Sequence, residues 1–446
     1  MITFFVICAH LLLNVWIGWV FLTFFPDNRN WAESLVASLL LGIYLETLLI
    51  ASMLFIGVSI KISVILMTGG ILLLTFVAWL KGNITMPKFS LGKLKWYEWI
   101  LLFSIVEKIM FGLWKIIQTP LFFDDALTQW SGRARSLFGS VNFSLNPESP
   151  VFLGIIESKK HYPFAIQVWR MVTAIFNGSW NDTIGRVDGL VFFIAIISTV
   201  WLIVWRFSKI RWLATLAAFI VSALPLQIWH AAAGYGDIAV GAFAVASLAS
   251  LLRQEWFLAG IFAAGAAWTK NDGLILYMPG IFVMVFLLQF SLKEIREFKW
   301  FQKEKWQKII LFMAGLITLI PWFIFKYIHA LGVTPNQEKL SFHPEALGLF
   351  WKYVVNGSSH SIFWLFISVS ILLILSKMYR DNTGRALLGL FLTSFLAIAF
   401  VYSCTDAYRF LLDETGVHRS MLQFYGVAIV VVIYGIWLKI SDFSLN

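Results

Sequence analysis

The sequence predicts an all-α protein that crosses a membrane many times. Of its 446 residues, 60% are hydrophobic and only 13% are charged, whereas about a quarter of the residues of a typical soluble domain are charged. Aromatic residues account for 17% of the chain, including 22 Trp and 42 Phe. The net charge of +10 is explained by Lys and Arg in cytoplasmic loops, so it does not favour nucleic acid as a partner.

Apolar stretches separated by charged residues predict the transmembrane helices. A span needs roughly 17 to 25 predominantly apolar residues, and about thirteen stretches reach or approach that length. They cover residues 1–25, 34–58, 62–80, 96–117, 183–205, 212–233, 238–252, 256–269, 274–292, 309–329, 362–375, 386–404 and 421–437. The first stretch is predicted to span rather than to be a secretory signal, because it lacks a charged start and a small-residue cleavage site.

Short basic loops orient the predicted spans. When the lysines of residues 81–95 are placed in the cytoplasm, alternation of the spans places the other short basic loops there too, as the usual distribution of Lys and Arg requires. The amino terminus is then outside and the carboxy terminus inside. The residues assigned to the cytoplasm are Lys81, Lys88, Lys93, Lys95, Arg206, Lys209, Arg211, Arg253, Lys377, Arg380, Arg385 and Lys439.

This topology divides the chain into four regions. They are 1–95, with three amino-terminal accessory spans; 96–292, a core with a long outer loop over 118–181; 293–308, an interfacial cytoplasmic helix; and 309–446, the remaining spans with outer loops over 330–361 and 405–420. The third region, KEIREFKWFQKEKWQK, mixes charges with aromatic residues, a composition typical of a helix that lies at the membrane interface.

Two stretches of the long outer loop are too short to span but have a helical pattern. In residues 161–178, the polar side chains of Gln167, Arg170 and Thr173 share one helical face, opposite an apolar face. Residues 127–138 have the same character. Both stretches are predicted to be amphipathic helices that lie on the outer membrane surface.

Ionisable residues gather at the outer ends of the predicted spans. Such residues are costly at membrane depth and mark functional sites, so several outer turns that supply them predict one polar cavity facing outward. The residues are Asp124 and Asp125 at the start of the long loop, Lys160, His161 and Tyr162 near its end, Asp237 in AAAGYGDIAVG, Lys270 and Asp272 in AAWTKNDGL, and Asp406, Arg409, Asp413, Glu414, His418 and Arg419 in the last outer turn.

Taken singly, these residues also fit ordinary structural roles. The Asp124 and Asp125 pair suits the start of the helix that follows it, and Asp237 suits the start of another, since Asp favours helix amino termini. Lys270 and Arg419 suit an interface that meets phospholipid headgroups. The functional prediction therefore depends on the location of all the clusters on one side.

In order along the chain, the motifs resemble those of the GT-C superfamily of integral membrane glycosyltransferases. They are Asp-Asp-Ala at the start of a long outer loop, HYP before a helix, GYGD at one outer turn, TKNDG at the next, and HRS near the end. The resemblance spans residues 96–437 and is greatest to bacterial members related to the protein mannosyltransferases and the aminoarabinose lipid A transferases. The three amino-terminal spans lie outside it.

The resemblance implies transfer of a sugar from a polyprenyl-phosphate donor to a lipid, glycan or protein acceptor on the extracytoplasmic face of a bacterial inner membrane. In the family motif the first acidic residue is the catalytic carboxylate, which is Asp124 here; Asp125 stands where the family often has Glu. No metal cofactor is expected, since relatives with a lipid-monophosphate donor generally do without one. Contacts to the donor phosphate and sugar are assigned to Lys160, His161, Tyr162, Asp237, Lys270, Asp272, Arg409 and Arg419.

The chemistry of such a transfer needs these residue types. A hydroxyl that attacks an anomeric carbon must lose its proton, and a carboxylate within hydrogen-bond reach contributes about 10² to 10⁴ fold to the rate. Asp124 is the predicted base, and Asp125 orients it or the acceptor. The departing lipid phosphate builds negative charge, which fixed cations stabilise. Asp237 and Asp272 hold sugar hydroxyls or fix those cations.

Four alternatives stay open. With Asp125 as a nucleophile about 5 Å away, the enzyme would retain the anomeric configuration. A divalent metal would find oxygen ligands in Asp124, Asp125 and Asp237. A lipid-diphosphate donor would make the chain a glycan polymerase or ligase. A secondary transporter or lipid flippase would use the same charges as a substrate path, although the sequence has no internal repeat of the kind typical of transporters.

Overall fold

A computed structural model describes residues 2–25, 29–81, 94–122, 124–139, 161–297, 302–332, 340–355 and 361–443. Regular structure within these ranges is helical, apart from one isolated bridge between Leu340 and Thr405. The α-helices are α1 (Ile2–Leu22), α2 (Trp31–Phe55), α3 (Ile60–Leu80), α4 (Trp96–Gln118), α5 (Ser131–Gly139), α6 (Ala165–Asn177), α7 (Val187–Ser208), α8 (Arg211–Ser222), α9 (Pro225–Ala233), α10 (Asp237–Leu252), α11 (Trp256–Thr269), α12 (Met278–Gln289), α13 (Leu292–Arg296), α14 (Lys303–Ile317), α15 (Ile320–Ile328), α16 (Glu345–Val355), α17 (Ser361–Arg380), α18 (Asn382–Cys404), α19 (Arg409–Leu412), α20 (Val417–Leu422) and α21 (Tyr425–Phe443). Two π-helical turns, Ala126–Trp130 and Gly273–Tyr277, precede α5 and α12.

Six of the described helices are long and apolar enough to cross a membrane, namely α1, α2, α3, α7, α17 and α18. Two bent pairs, α8 with α9 and α14 with α15, raise the number to eight if each pair is one span. The prediction of an all-α membrane protein is therefore confirmed. Each predicted apolar stretch lies on one or more helices, but the other helices are shorter or more polar, so the larger number of crossings stays a prediction.

Two predicted spans are broken at prolines. The stretch 212–233 forms α8 and α9, which meet at 61°, and the stretch 309–329 lies on α14 and α15, which meet at 52°. Pro225 and Pro321 lie in the first turn of the second helix of each pair. A proline has no N–H to donate and its ring clashes with the preceding turn, so these two stretches are not the continuous helices that their apolarity predicted.

The amino-terminal hairpin of α1 and α2 packs at close range. A Cβ on Gly18 would lie 1.9 Å from the carbonyl oxygen of Ser38, and a Cβ on Gly42 would lie 1.8 Å from that of Asn14. Only glycine permits this crossing, as at other close helix contacts in membranes. The hairpin also contacts α6, α7 and α11, so the accessory spans pack directly on the predicted core.

A buried polar network joins this hairpin to α6. The Nε2 of His10 lies 2.9 Å from both carboxylate oxygens of Glu46, and its Nδ1 lies 2.8 Å from the hydroxyl of Thr173. Asn14 donates to Glu46 at 2.6 Å and accepts from the indole N–H of Trp169 at 2.8 Å. These side chains have almost no exposed surface, so the network supplies the partners that buried polar groups require.

The helix α6, one of the two predicted on the outer membrane surface, is instead buried in the bundle. On α6, Gln167, Arg170 and Thr173 have no exposed surface, although they form the face predicted to meet water. Arg170 pairs with Asp188 inside the protein. On α5, the other of the two, Arg133 is buried but Arg135 is exposed. The prediction for α6 was wrong because a polar face that finds partners inside a protein has the same sequence pattern as one that faces water.

The segment 293–308 does not form one interfacial helix. A capping box of Ser291 and Glu294 starts α13, which ends after 5 residues. Residues 298–301 lie outside the described ranges, and the remainder of the segment belongs to α14. The amine of Lys305 reaches back to the Glu294 carboxylate at 2.5 Å. The described residues of this segment therefore belong to two separate helices, which the mixture of charges and aromatic residues did not reveal.

Ion pairs at one end of the bundle connect loops that were predicted to lie on the same side. Arg206, at the end of α7, lies 3.1 Å from Glu33 of α2. Arg211, at the start of α8, lies 2.6 Å from Glu98 of α4. These contacts agree with the prediction that the short basic loops lie at the same end of the bundle. The polar residues of the predicted outer turns meet at the opposite ends of the helices.

Candidate active site

Four loops bring charged side chains together at that opposite end. Asp125 directly precedes the first π-helical turn, Asp237 is the first residue of α10, Lys270 and Asp272 follow α11, and Arg419 lies on α20. Because α10 and α11 are packed neighbours that run in opposite directions, the start of one lies beside the end of the other. We refer to these five residues as the charged cluster.

Asp237 is the centre of the charged cluster and has no exposed surface. Its Oδ1 accepts from the amine of Lys270 at 2.7 Å, and its Oδ2 accepts from Nε and NH2 of Arg419 at 3.2 Å and 3.1 Å. The Nδ1 of His230 lies 3.6 Å from Oδ2. A buried carboxylate is stable only when it is paired and hydrogen-bonded. The geometry fits the second of its two predicted roles, the fixing of cations.

Arg419 bridges two carboxylates. Its NH1 lies 2.5 Å from Oδ2 of Asp125, while the other edge of the guanidinium holds Asp237. The guanidinium carbon lies 4.5 Å from the ring centroid of Tyr235, within the range of a cation–π contact. Burial disfavours the charge on Arg419, but the carboxylates of Asp237 and Asp125 outweigh burial and raise its pKa. Arg419 is therefore a fixed cation.

Lys270 is a second fixed cation. Its amine lies 2.7 Å from a carboxylate oxygen of Asp237 and 2.7 Å from one of Asp272. Burial alone would lower the pKa of this amine, yet the two carboxylates together raise it above its usual value. Lys270 therefore stays protonated across the physiological pH range.

Gln423 completes this arrangement, although the sequence did not single it out. Its side-chain amide donates to Asp237 at 3.2 Å and to Asp272 at 2.8 Å. Within the described part of the chain, its buried carbonyl oxygen has no hydrogen-bond partner. Gln423 follows Arg419 by four positions, and this spacing places two side chains on one helical face. The spacing was the feature of the sequence that could have identified Gln423 as a site residue.

Comparison with known proteins gives no match. No protein-family profile fits the sequence, and no curated protein or solved structure is significantly similar to the chain. Any functional conclusion therefore depends on the geometry of the site and on its chemistry.

The two adjacent aspartates have different surroundings. Asp125 is ion-paired with Arg419. Asp124 is exposed, and among the described residues its carboxylate has no hydrogen bond or ion pair. It adjoins Asp125 in the chain and is close enough to Tyr235 to act on it: burial raises the pKa of the Tyr235 hydroxyl, the charge of Arg419 lowers it, and the carboxylates of Asp125, Asp237 and Asp124 raise it. Of the two adjacent aspartates, Asp124 is the one whose side chain is exposed.

The end of the long outer loop lies against the charged cluster. Burial raises the pKa of the Tyr162 hydroxyl, and the charge of Lys270 lies close enough to oppose this rise. The ring of Tyr162 packs edge-on against Trp130, with the centroids 6.0 Å apart. The carbonyl of His161 lies 3.4 Å from the side-chain amide of Asn271. The predicted residues His161 and Tyr162 therefore line one side of the cluster.

The other two predicted donor-binding cations have different placements. Lys160 lies outside the described residues. Arg409 opens α19 and is exposed, with its guanidinium carbon 4.6 Å from the ring centroid of Phe410. Lys270 and Arg419 are thus the predicted cations that the described contacts bring to Asp237.

Both π-helical turns lie next to site residues. The turn Ala126–Trp130 directly follows Asp125, and the turn Gly273–Tyr277 directly follows Asp272. Isolated π-helical turns are rare and occur frequently at functional sites. This unusual backbone is a structural sign of a site, and local sequence patterns do not predict it.

The arrangement of the acidic residues also bears on metal binding. Among the residues that the structure describes, no three or more His, Cys, Asp or Glu side chains are arranged to hold a metal ion. The acids face Lys270 and Arg419 instead. Metal-free chemistry stays a prediction that activity measurements must test.

Proposed function

We propose that this chain is a membrane glycosyltransferase that moves a sugar from a polyprenyl-phosphate donor to an acceptor hydroxyl. The observation that supports this function most directly is the charged cluster with the exposed carboxylate of Asp124 beside it, at one end of a helical membrane bundle. Sugar transfer to a hydroxyl requires a base and fixed cations that stabilise the departing phosphate. Residues as far apart as 294 positions supply these groups.

The proposal includes a GT-C-like arrangement of about thirteen spans in a bacterial inner membrane. The charged cluster then lies on the extracytoplasmic side, and a lipid, glycan or protein supplies the acceptor hydroxyl. The distribution of basic residues supports this orientation, since the loops at the opposite end contain Arg206, Lys209 and Arg211. A lipid donor would reach the cluster laterally through the bilayer.

In the proposed reaction, Asp124 accepts the proton of the acceptor hydroxyl as the hydroxyl oxygen bonds to the anomeric carbon. The bond between that carbon and the phosphate oxygen breaks, and its electron pair leaves with polyprenyl phosphate. A single displacement inverts the anomeric carbon and needs no second carboxylate as nucleophile. Because the carboxylate of Asp125 is ion-paired with Arg419, we assign the role of base to Asp124.

The charged cluster by itself does not neutralise a donor phosphate. Its three carboxylates, Asp125, Asp237 and Asp272, outnumber its two cations. An anion that enters this surrounding needs additional positive charge. Lys160, near the end of the long outer loop, and Arg409, on α19, are the predicted residues that would supply it.

Turnover of labelled donors tests the proposal. Purified protein in lipid nanodiscs is incubated with radiolabelled polyprenyl-phosphate sugars, and release of free polyprenyl phosphate is measured for the wild type and for Asp124→Asn. Asp413→Asn, which changes another exposed acid of an outer loop, is the matched control. We expect loss of turnover only in Asp124→Asn. Equal turnover in both variants would remove Asp124 from the mechanism, and absence of turnover with every such donor would contradict the function.

A secondary transporter or lipid flippase is the second candidate, and the bent helix pairs favour it. Discontinuous helices are typical of transporter binding sites, and α9, the second half of one bent pair, leads directly into the loop that contains Asp237. Solute flux in proteoliposomes that requires Lys270, without sugar transfer, would support this candidate. A glycan polymerase or ligase would instead turn over only a polyprenyl-diphosphate-linked glycan, with release of polyprenyl diphosphate, when that donor replaces the monophosphate sugar in the assay.

A further inference from the structure

Arg170 is a fully buried cation outside the charged cluster. Its Nε and NH2 donate to the two carboxylate oxygens of Asp188, each at 3.0 Å. NH1 donates to the hydroxyl of Ser131 at 2.9 Å, and NH2 also donates to the carbonyl of Gly234 at 3.1 Å. Both edges of its planar fork are therefore engaged inside the bundle.

Arg170 contacts two of the three segments that place aspartates in the charged cluster. Ser131 directly follows the π-helical turn that begins after Asp125. Gly234 has a φ of 82° and begins the short turn that leads from α9 to Asp237. One rigid guanidinium thus lies between the segment after one site carboxylate and the segment before another.

Ser131 also links Arg170 to a third segment, the residues just before α7. The hydroxyl of Ser131 accepts from Arg170 and donates to the carbonyl of Gly185 at 2.6 Å, just before α7. The side chains of Trp169 and Thr173, also on α6, are hydrogen-bonded to Asn14 and His10 of the amino-terminal hairpin. The helix that presents Arg170 is therefore anchored, and the guanidinium has a defined position from which to hold the loops.

Stability alone is a poor explanation for this ion pair. Desolvation of two charges largely offsets their attraction, and apolar residues of similar volume often replace a buried pair without loss of stability. An apolar group cannot fix the orientation of its neighbours, whereas a bidentate guanidinium fixes both the angle and the distance of its hydrogen-bond partners. Arg170 orients Asp188 and two loop segments in this way.

We propose that Arg170 is a positioning residue that sets the separation between the loop with Asp124 and Asp125 and the loop with Asp237. Arg419 bridges Asp125 and Asp237 only when these loops lie at the observed separation. The consequence for catalysis rests on the glycosyltransferase function proposed above. The placement of the loops does not depend on it.

Amide hydrogen exchange in nanodiscs tests the positioning role without any substrate. Arg170→Lys keeps the charge but loses the planar fork, and Ser131→Ala removes the contact to the first loop while Asp188 and Gly234 remain bonded. Arg211→Lys is the matched control, because Arg211 forms a bidentate pair with Glu98 at the opposite helix ends.

We expect Arg170→Lys to speed exchange about tenfold in residues 124–131 and 234–237, the factor for loss of one hydrogen bond to a charged group. Ser131→Ala should speed exchange in residues 124–131 but not in residues 234–237. Arg211→Lys should leave both segments unchanged. Unchanged exchange of both segments in Arg170→Lys would overturn the proposal, and so would equal acceleration over the whole chain, which would mean general destabilisation.

Donor turnover separates this proposal from the proposed function. In Arg170→Lys, kcat should fall about a hundredfold, the effect of a misplacement of roughly 1 Å, while KM for the donor changes much less because Lys270 and Arg419 are intact. If wild-type protein turns over no donor, the glycosyltransferase function fails while the exchange result still decides the positioning role. Equal effects on kcat and KM would contradict a role confined to positioning.

Discussion

The guanidinium of Arg419 donates to the carboxylate of Asp125 at 2.5 Å, joining residues that are 294 positions apart. The same guanidinium holds the buried carboxylate of Asp237. The two neighbouring acids therefore differ, because the carboxylate of Asp125 is ion-paired with Arg419 whereas the side chain of Asp124 is exposed.

The first prediction concerns Asp124. Asp124→Asn should lower kcat about 10² to 10⁴ fold, since an amide cannot accept the proton of the acceptor. Thermal unfolding should be unchanged, because the carboxylate makes no contact that the substitution removes within the described residues. A variant that retains more than a tenth of the wild-type kcat would exclude Asp124 as the base.

Arg419 gives the second prediction. Arg419→Lys keeps the positive charge but loses the fork that spans Asp125 and Asp237, and these residues are not interchangeable at bidentate sites. We expect KM for the donor to rise about tenfold, with a fall in the melting temperature, since one contact to a buried carboxylate is lost. Steady-state kinetics and a thermal unfolding curve measure both. Wild-type values for this variant would show that the bridge has no function.

Gln423 gives the third prediction. Gln423→Leu removes two hydrogen bonds to carboxylates, so the free energy of unfolding should fall by about 2 to 4 kcal/mol, given roughly 1.5 to 3 kcal/mol for each such bond and partial relaxation. Gln227→Leu is the control, because among the described residues this buried amide donates to the Leu422 carbonyl alone, so the variant should lose about 1 kcal/mol. Equal losses in reversible denaturation would contradict the assignment.

The pH dependence of donor turnover gives the fourth prediction. Asp237 and Asp272 raise the pKa of Lys270. The amine therefore keeps its positive charge up to the usual lysine pKa of about 10.4 and loses it only at higher pH. The kcat/KM of the wild type should therefore be flat on the alkaline side to about pH 10. In Asp272→Asn one of the two carboxylates is gone, and the alkaline fall should begin at lower pH. Identical profiles would show that Asp272 does not hold Lys270 in its charged form.

Glu46 gives the fifth prediction. In Glu46→Gln the amide still has an oxygen that accepts from Asn14 and an N–H that can reach His10, so the loss of stability should stay below about 1 kcal/mol. Glu46→Ala leaves two buried polar groups without their partner and should cost about 3 to 5 kcal/mol. Denaturation in detergent compares the two variants. Equal destabilisation would mean that the network depends on a carboxylate charge at this position.

Much of the architecture was predictable because its determinants are local. Runs of apolar residues located the helices. The basic loops predicted which helix ends lie together, and the ion pairs of Arg206 and Arg211 join helix ends that were predicted to be neighbours. The outer polar motifs also indicated the residues that meet in the charged cluster. The bends at Pro225 and Pro321 have a visible sequence signal, but the angle between the halves depends on their packing.

The sequence by itself determined the membrane class, the helical segments and the shared end of the bundle at which Asp125, Asp237, Lys270 and Arg419 emerge, because hydrophobicity and charge act residue by residue. Only the tertiary structure decided which of these residues are paired, that α6 is buried, and that Gln423 and Arg170 hold the site together. The physical reason is that a polar helical face shows its own composition and spacing, whereas its partner is contributed by a distant part of the chain. A carboxylate left exposed and a carboxylate bound to arginine are the same residue until that partner is in place.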